Sequence, residues 1–115
     1  MDNVLSYFKN GIKVVLTNDN SNVYKINNDN LGGIIAGIYD TTIPDSVNHK
    51  YLTSLSLKSN NKSFSINRGE VIEVIEDNVI GVLPKKVMVV SMFLNTLTNS
   101  YYFVLSQGNK NESHK

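Results

Sequence analysis

The sequence predicts a mainly β, single-domain protein: a small bent SH3-like barrel with a short N-terminal helix and a C-terminal β-hairpin. Three observations lead there. Short β-rich runs recur along the chain with turn signals between them, the pattern of a small barrel or sandwich. Those turn signals are dense in Asn, Asp and Ser at residues 18–22, 27–30 and 59–62. Such side chains bond their own backbone and tolerate tight φ angles. Residues 51–57 alternate cleanly, with Leu55 and Leu57 facing one way and Ser54 and Ser56 the other, as a half-buried strand requires.

The elements follow in chain order. Residues 2–10 are expected to form the helix, because Val4, Leu5 and Phe8 share one apolar stripe at helical spacing. Asp2 or Asn3 caps its start, and Gly11 stops it as a left-handed closing residue. The alternative is a frayed terminus. Strands follow at 12–17 and 23–26. The apolar segment 31–39 carries Gly32, Gly33 and Gly37, which mark a bulge, a bend or a close backbone approach. A loop at 41–50 is signalled by Pro44 and Asp45. Strands at 51–57 and 63–66 flank a polar turn. Residues 71–75 repeat Glu at helical spacing, but their β-branched content favours a strand. Residues 78–82 extend it until Pro84. Segments 86–94 and 100–106 form the C-terminal hairpin and are the most apolar part of the chain. The domain is expected to span 1–106, with 107–115 a polar, disordered tail.

Composition narrows the function. Eleven basic and ten acidic residues leave a net charge of +1, unlike the basic excess of a duplex-DNA binder. The absence of cysteine removes disulfides, zinc-thiolate sites and a thiol nucleophile, and fits a reducing cytoplasm. No basic leader and no membrane-length apolar run is seen, so no membrane partner is expected. His49 and His114 are too isolated for a metal site or a catalytic triad. The glycines at 32, 33 and 37 do not continue into a phosphate loop. Glu70, Glu73, Glu76 and Asp77 are split between two faces of a strand and read as a solvated edge. No enzyme activity and no cofactor is expected.

One further motif is Ile66-Asn67-Arg68-Gly69-Glu70-Val71-Ile72. An apolar residue, a basic residue and a glycine stand before a β-branched run. With the helix candidate and the bent-strand candidates before it, this resembles the Sm-like family, which includes bacterial Hfq, over residues 2–77. The resemblance implies a bent five-stranded barrel behind a short helix. It also implies that Arg68 helps hold a base, and that an aspartate at Asp40 with an asparagine near it, Asn48, reads the base edge. The sequence departs from the family pattern by the extra Asn67, by Pro44 where the asparagine should stand, and by the unmatched C-terminal hairpin.

Together these features place a ligand site at Arg68, Asp40, Asn48 and Tyr39. Arg68 is the single arginine; its planar fork clamps a phosphate or stacks on a base. The plainer reading is a turn arginine paired with Glu70 or Asp77. Tyr39 offers a stacking face with a polar tip. The expected protein is a non-catalytic, homo-oligomeric binder of a nucleotide-type ligand, either a small signalling nucleotide or a single-stranded RNA end. Val87, Val89, Phe93 and Tyr102 of the apolar hairpin are the expected oligomer contacts. The alternatives are an assembly subunit of a phage or mobile element with no small ligand, and a viral decoy that sequesters an immune nucleotide signal.

Overall fold

A computed structural model describes residues 3–18, 21–27, 33–76 and 83–106. Nine strands are seen among them: β1 (Asn3–Lys9), β2 (Ile12–Asn18), β3 (Val23–Asn27), β4 (Gly33–Tyr39), β5 (His49–Ser59), β6 (Lys62–Asn67), β7 (Val71–Glu76), β8 (Lys85–Asn95) and β9 (Ser100–Leu105). Six of them close into an antiparallel barrel in the order β1-β2-β3-β9-β8-β7 and back to β1. Closure removes the free edges an open sheet would leave. The remaining strands form an extension in which β5 runs between β4 and β6. It is tied to the barrel where Tyr51 pairs with Phe93, Lys50 with Leu94 and His49 with Asn95.

The expected N-terminal helix is not there; residues 3–9 are strand β1. A nine-residue helix is marginal by itself, whereas β1 gains a ladder on each side, with β2 and with β7. Leu5 and Tyr7 point into the core and Phe8 outward, the two-residue period of a strand. Gly11 does not stop a helix. Asn10 and Gly11 are the two central residues of a hairpin, at φ 50° and 78°, and Asn-Gly is the favoured pair for such a turn.

A single core joins barrel and extension. Val14, Leu16, Val74, Val89, Met92 and Phe103 fill the barrel, while Leu52, Leu55, Leu57, Phe64 and Ile66 of the extension belong to the same cluster. Tyr7 meets Phe64 edge to face at 5.9 Å. Two register shifts shape these surfaces. The ladder of β4 with β5 jumps between Ile38 and Tyr39, leaving Thr53 unpaired, so Leu52 joins Leu55 and Leu57 on the buried face. The ladder of β8 with β9 jumps between Val89 and Ser91. A bulge of this kind re-aims every side chain beyond it.

The second shift explains the strongly apolar hairpin. Val87 and Val89 are buried core residues of the barrel. Phe93 lies on the outer face but is covered by its own chain, stacked on Tyr102 at 5.1 Å and set against His49 at 4.3 Å. The expected oligomer contacts Val87, Val89, Phe93 and Tyr102 are thus engaged within the chain, with Tyr102 half-buried. His49 is half-buried in this aromatic group. Segment 78–82 and tail 107–115 lie outside the described residues. Among the described residues no helix is long and apolar enough to cross a membrane.

Candidate functional site

The corner between β6 and β7 builds the site. Asn67 to Glu70 form a turn closed by Glu70 N–H donating to Asn67 O at 3.1 Å. Gly69 holds φ 90° at its third position, where a side chain would be strained. The turn switches ladders: Arg68 N–H donates to Thr53 O of β5 at 3.0 Å, and Gly69 N–H to Val89 O of β8 at 2.7 Å. Arg68-Gly69 is therefore the splice between extension and barrel. Glu70 fastens the corner. Its Oε1 accepts from Asn67 N–H at 3.0 Å and its Oε2 from Lys9 Nζ at 2.8 Å. The Lys9 bond first, and then the Asn67 amide, hold the Glu70 carboxyl below the usual carboxylate range.

From this corner Arg68 reaches across β5. Its Nη1 donates to Asp40 Oδ2 at 2.6 Å, bridging positions 28 residues apart. The pair is asymmetric, with the Asp40 side chain 3% exposed and that of Arg68 39%. Asp40 directly follows β4 and is locked by Thr42, whose amide and hydroxyl both donate to Oδ1, at 2.9 and 2.5 Å. Thr42 is the main cause, ahead of Arg68, of an Asp40 carboxyl held below its ordinary range. Both oxygens of Asp40 are committed inside the chain, so Asp40 positions Arg68. One Arg68 N–H goes to Asp40, and the others have no partner among the described residues; a guanidinium carries five.

Beside the pair lies an open surface hollow of about 310 Å³, lined by Tyr39, Asp40, Thr41, Ile43, Pro44, Asp45 and Lys50. Lys50 Nζ stands 5.2 Å from the centre of the exposed Tyr39 ring, within cation–π reach. Tyr101 lies near enough to Tyr39 to feel its charge; burial first and Tyr39 second push the Tyr101 hydroxyl pKa up.

Of the four site residues read from the sequence, Asp40 and Arg68 touch, and Tyr39 and Asp40 line the hollow. Neither Arg68 nor Asn48 lines it. Asn48 closes the loop instead, at φ 67°, while its carbonyl accepts from Thr96 N–H at 2.9 Å. Lys50 and Thr42 escaped the sequence reading. Thr42 was legible, because an aspartate whose side chain accepts the amide two residues on is a common turn signature. Lys50 had no local signal; only the fold of the loop brings it over Tyr39.

Among the described residues no group of three His, Asp or Glu is placed to hold a metal ion. The chain matches no protein-family model, no curated protein and no solved structure.

Proposed function

We propose that the protein is a non-catalytic binding module for a small nucleotide-type ligand held beside the Asp40–Arg68 pair. The observation that carries this reading is the state of Arg68. A buried, threonine-locked carboxylate fixes its orientation, and its remaining N–H groups stay available on the exposed side. An arginine held in this way loses little entropy when it clamps a phosphate. Lys50 adds a second cation and Tyr39 a stacking face. The Sm-like resemblance points to the same residue, since it implies a basic group before a strand that helps hold a base. A net charge of +1 suits one or two phosphates better than a long RNA, whose binding draws on many cations.

The test is a thermal-shift and calorimetric screen of the full chain against mononucleotides, cyclic dinucleotides and short single-stranded RNA. A nucleotide is expected to raise the melting temperature. Tyr39→Ala and Lys50→Ala, both at exposed positions, are expected to lose that rise while keeping the wild-type circular dichroism. A screen in which no nucleotide shifts the transition rejects the reading.

A second reading, an assembly subunit with no small ligand, is favoured by one observation. Val71, Met88 and Val90 are exposed on the outer face of β7 and β8, and Val71 pairs with Met88. In that case Met88→Glu breaks the assembly and no small molecule stabilises the protein.

A further inference from the structure

The loop between β4 and β5 carries an acid that the chain leaves unpaired. From residue 41 to residue 69 the sequence holds Lys50, Lys58, Lys62 and Arg68 against a single acid, Asp45. The ion pairs seen among the described residues are Lys9 with Glu70 and Arg68 with Asp40, so Asp45 stands outside both. Its side chain is exposed and lines the hollow together with Tyr39 and Lys50. The loop frames it with closed turns. Ahead of Asp45, Asp40 N–H donates to Tyr51 O at 2.8 Å and Ile43 N–H to Asp40 O at 3.4 Å; after it, His49 N–H donates to Ser46 O at 3.2 Å. The ring of Pro44, directly before it, fixes its own φ.

The lining side chains divide the hollow by chemistry. Asp40 has both oxygens committed, to Thr42 and to Arg68. Ile43 and Pro44 are apolar. Tyr39 offers a ring and Lys50 a cation. Asp45 is left as the lining side chain that only accepts hydrogen bonds and has its acceptors open. A carboxylate repels phosphate, so a nucleotide in this hollow turns its phosphate toward Arg68 and Lys50 and its base toward Asp45. A hollow of about 310 Å³ is at the small end of ligand sites and suits one base at a time.

Resting on the nucleotide reading above, we propose that Asp45 selects guanine. The two oxygens of a carboxylate accept two parallel hydrogen bonds from neighbouring donors. Among the common bases guanine presents two adjacent donors on its pairing edge, the ring N–H and the exocyclic amine. Adenine and cytosine present one amine beside a ring nitrogen that accepts, and uracil one N–H between two carbonyls. Each of these sets an acceptor against the carboxylate. An edge-on contact of this kind separates bases where stacking on Tyr39 does not, because every base has a face to stack.

The experiment is calorimetric titration of the full chain with the monophosphates of guanosine, inosine and adenosine, and with the cyclic dinucleotides of guanosine and of adenosine. The guanine form is expected to bind roughly ten- to a hundredfold tighter than the adenine form. Inosine keeps the ring N–H but lacks the amine, and is expected between them. Asp45→Asn keeps the size of the side chain at an exposed position, so circular dichroism should not change. It replaces one acceptor with a donor, and the preference for guanine over adenine is expected to collapse. Nucleotides that bind without a guanine preference overturn the selection by Asp45 and leave the nucleotide reading standing. So does inosine bound as tightly as guanosine, or a preference that survives in Asp45→Asn. No binding by any of these compounds overturns both.

Discussion

The barrel and its three-stranded extension share one core but differ in how their backbones are satisfied. In the barrel each strand lies between two neighbours. In the extension only β5 has that protection. β6 borrows the side chains of Lys9 and Asn10, and among the described residues β4 has β5 alone. The exposed apolar ring of Tyr39, the Asp40–Arg68 pair and the hollow all belong to the extension or to the corner that joins it. Closure stabilises the barrel and leaves it little to offer a ligand along its strands. The open part carries the candidate site, at loops held by a rigid scaffold.

The largest expected effect lies in the barrel. Phe103 is fully buried at its centre. Phe103→Ala is expected to cost about 3–5 kcal/mol, read as a lower midpoint in urea with one transition, because the core is shared. Two transitions in that variant would show that the extension folds apart from the barrel.

At the joint the effect is smaller. Gly69→Ala forces a side chain into φ 90°, at a cost of about 1–2 kcal/mol. It meets no neighbouring atom, so unfolding in denaturant should report backbone strain alone. A loss below a few tenths of a kcal/mol would mean that the turn relaxes and the splice is not rigid.

The ion pair separates the regions by pH. Asp40 and Glu70 both have folded pKa values below their ordinary ones. Their contribution is therefore full above the ordinary carboxylate range and disappears as pH falls through the depressed values. Arg68→Ala should lower the melting temperature at neutral pH, and the gap from wild type should narrow as the solution is acidified. A gap that does not change with pH would remove the Asp40 link. At the other end of the scale, burial raises the Tyr7 hydroxyl pKa, so its contribution is present below the ordinary tyrosine value and lost as pH rises above it. Tyr7→Phe should reduce alkaline unfolding.

The smallest effect concerns dynamics. Amide exchange should be fastest in β4 and slowest in β1 and β2. Equal rates would mean that the edge strand is as well held as the barrel.

Much of this fold was legible locally. The strand segments at 12–17, 23–26, 63–66, 71–75 and 100–106 match the observed elements closely. The turns were marked by their asparagines: Asn10, Asn48, Asn60 and Asn99 all stand at positive φ. Asn10-Gly11 carried a hairpin signal, yet the apolar spacing of Val4, Leu5 and Phe8 favoured a helix. That spacing fits a strand equally well once Leu5 and Tyr7 are the inward pair. Three residues of the candidate site were legible too. Asp40, Tyr39 and Arg68 stand out as chemical types, whereas Lys50 does not, and Asn48 proved to be a turn residue.

By itself the sequence determined the β class and the turn at 59–62, because these follow from side chains acting on their own backbone. Only the tertiary structure decided that residues 3–9 are a strand, since that strand exists through ladders to β2 and β7. It also decided the register shifts at Thr53 and Val90, which depend on two strands at once. The contact between Arg68 and Asp40 joins positions 28 residues apart, and no local rule reaches that far; the pairing of β4 and β6 on opposite sides of β5 brings them within one hydrogen bond.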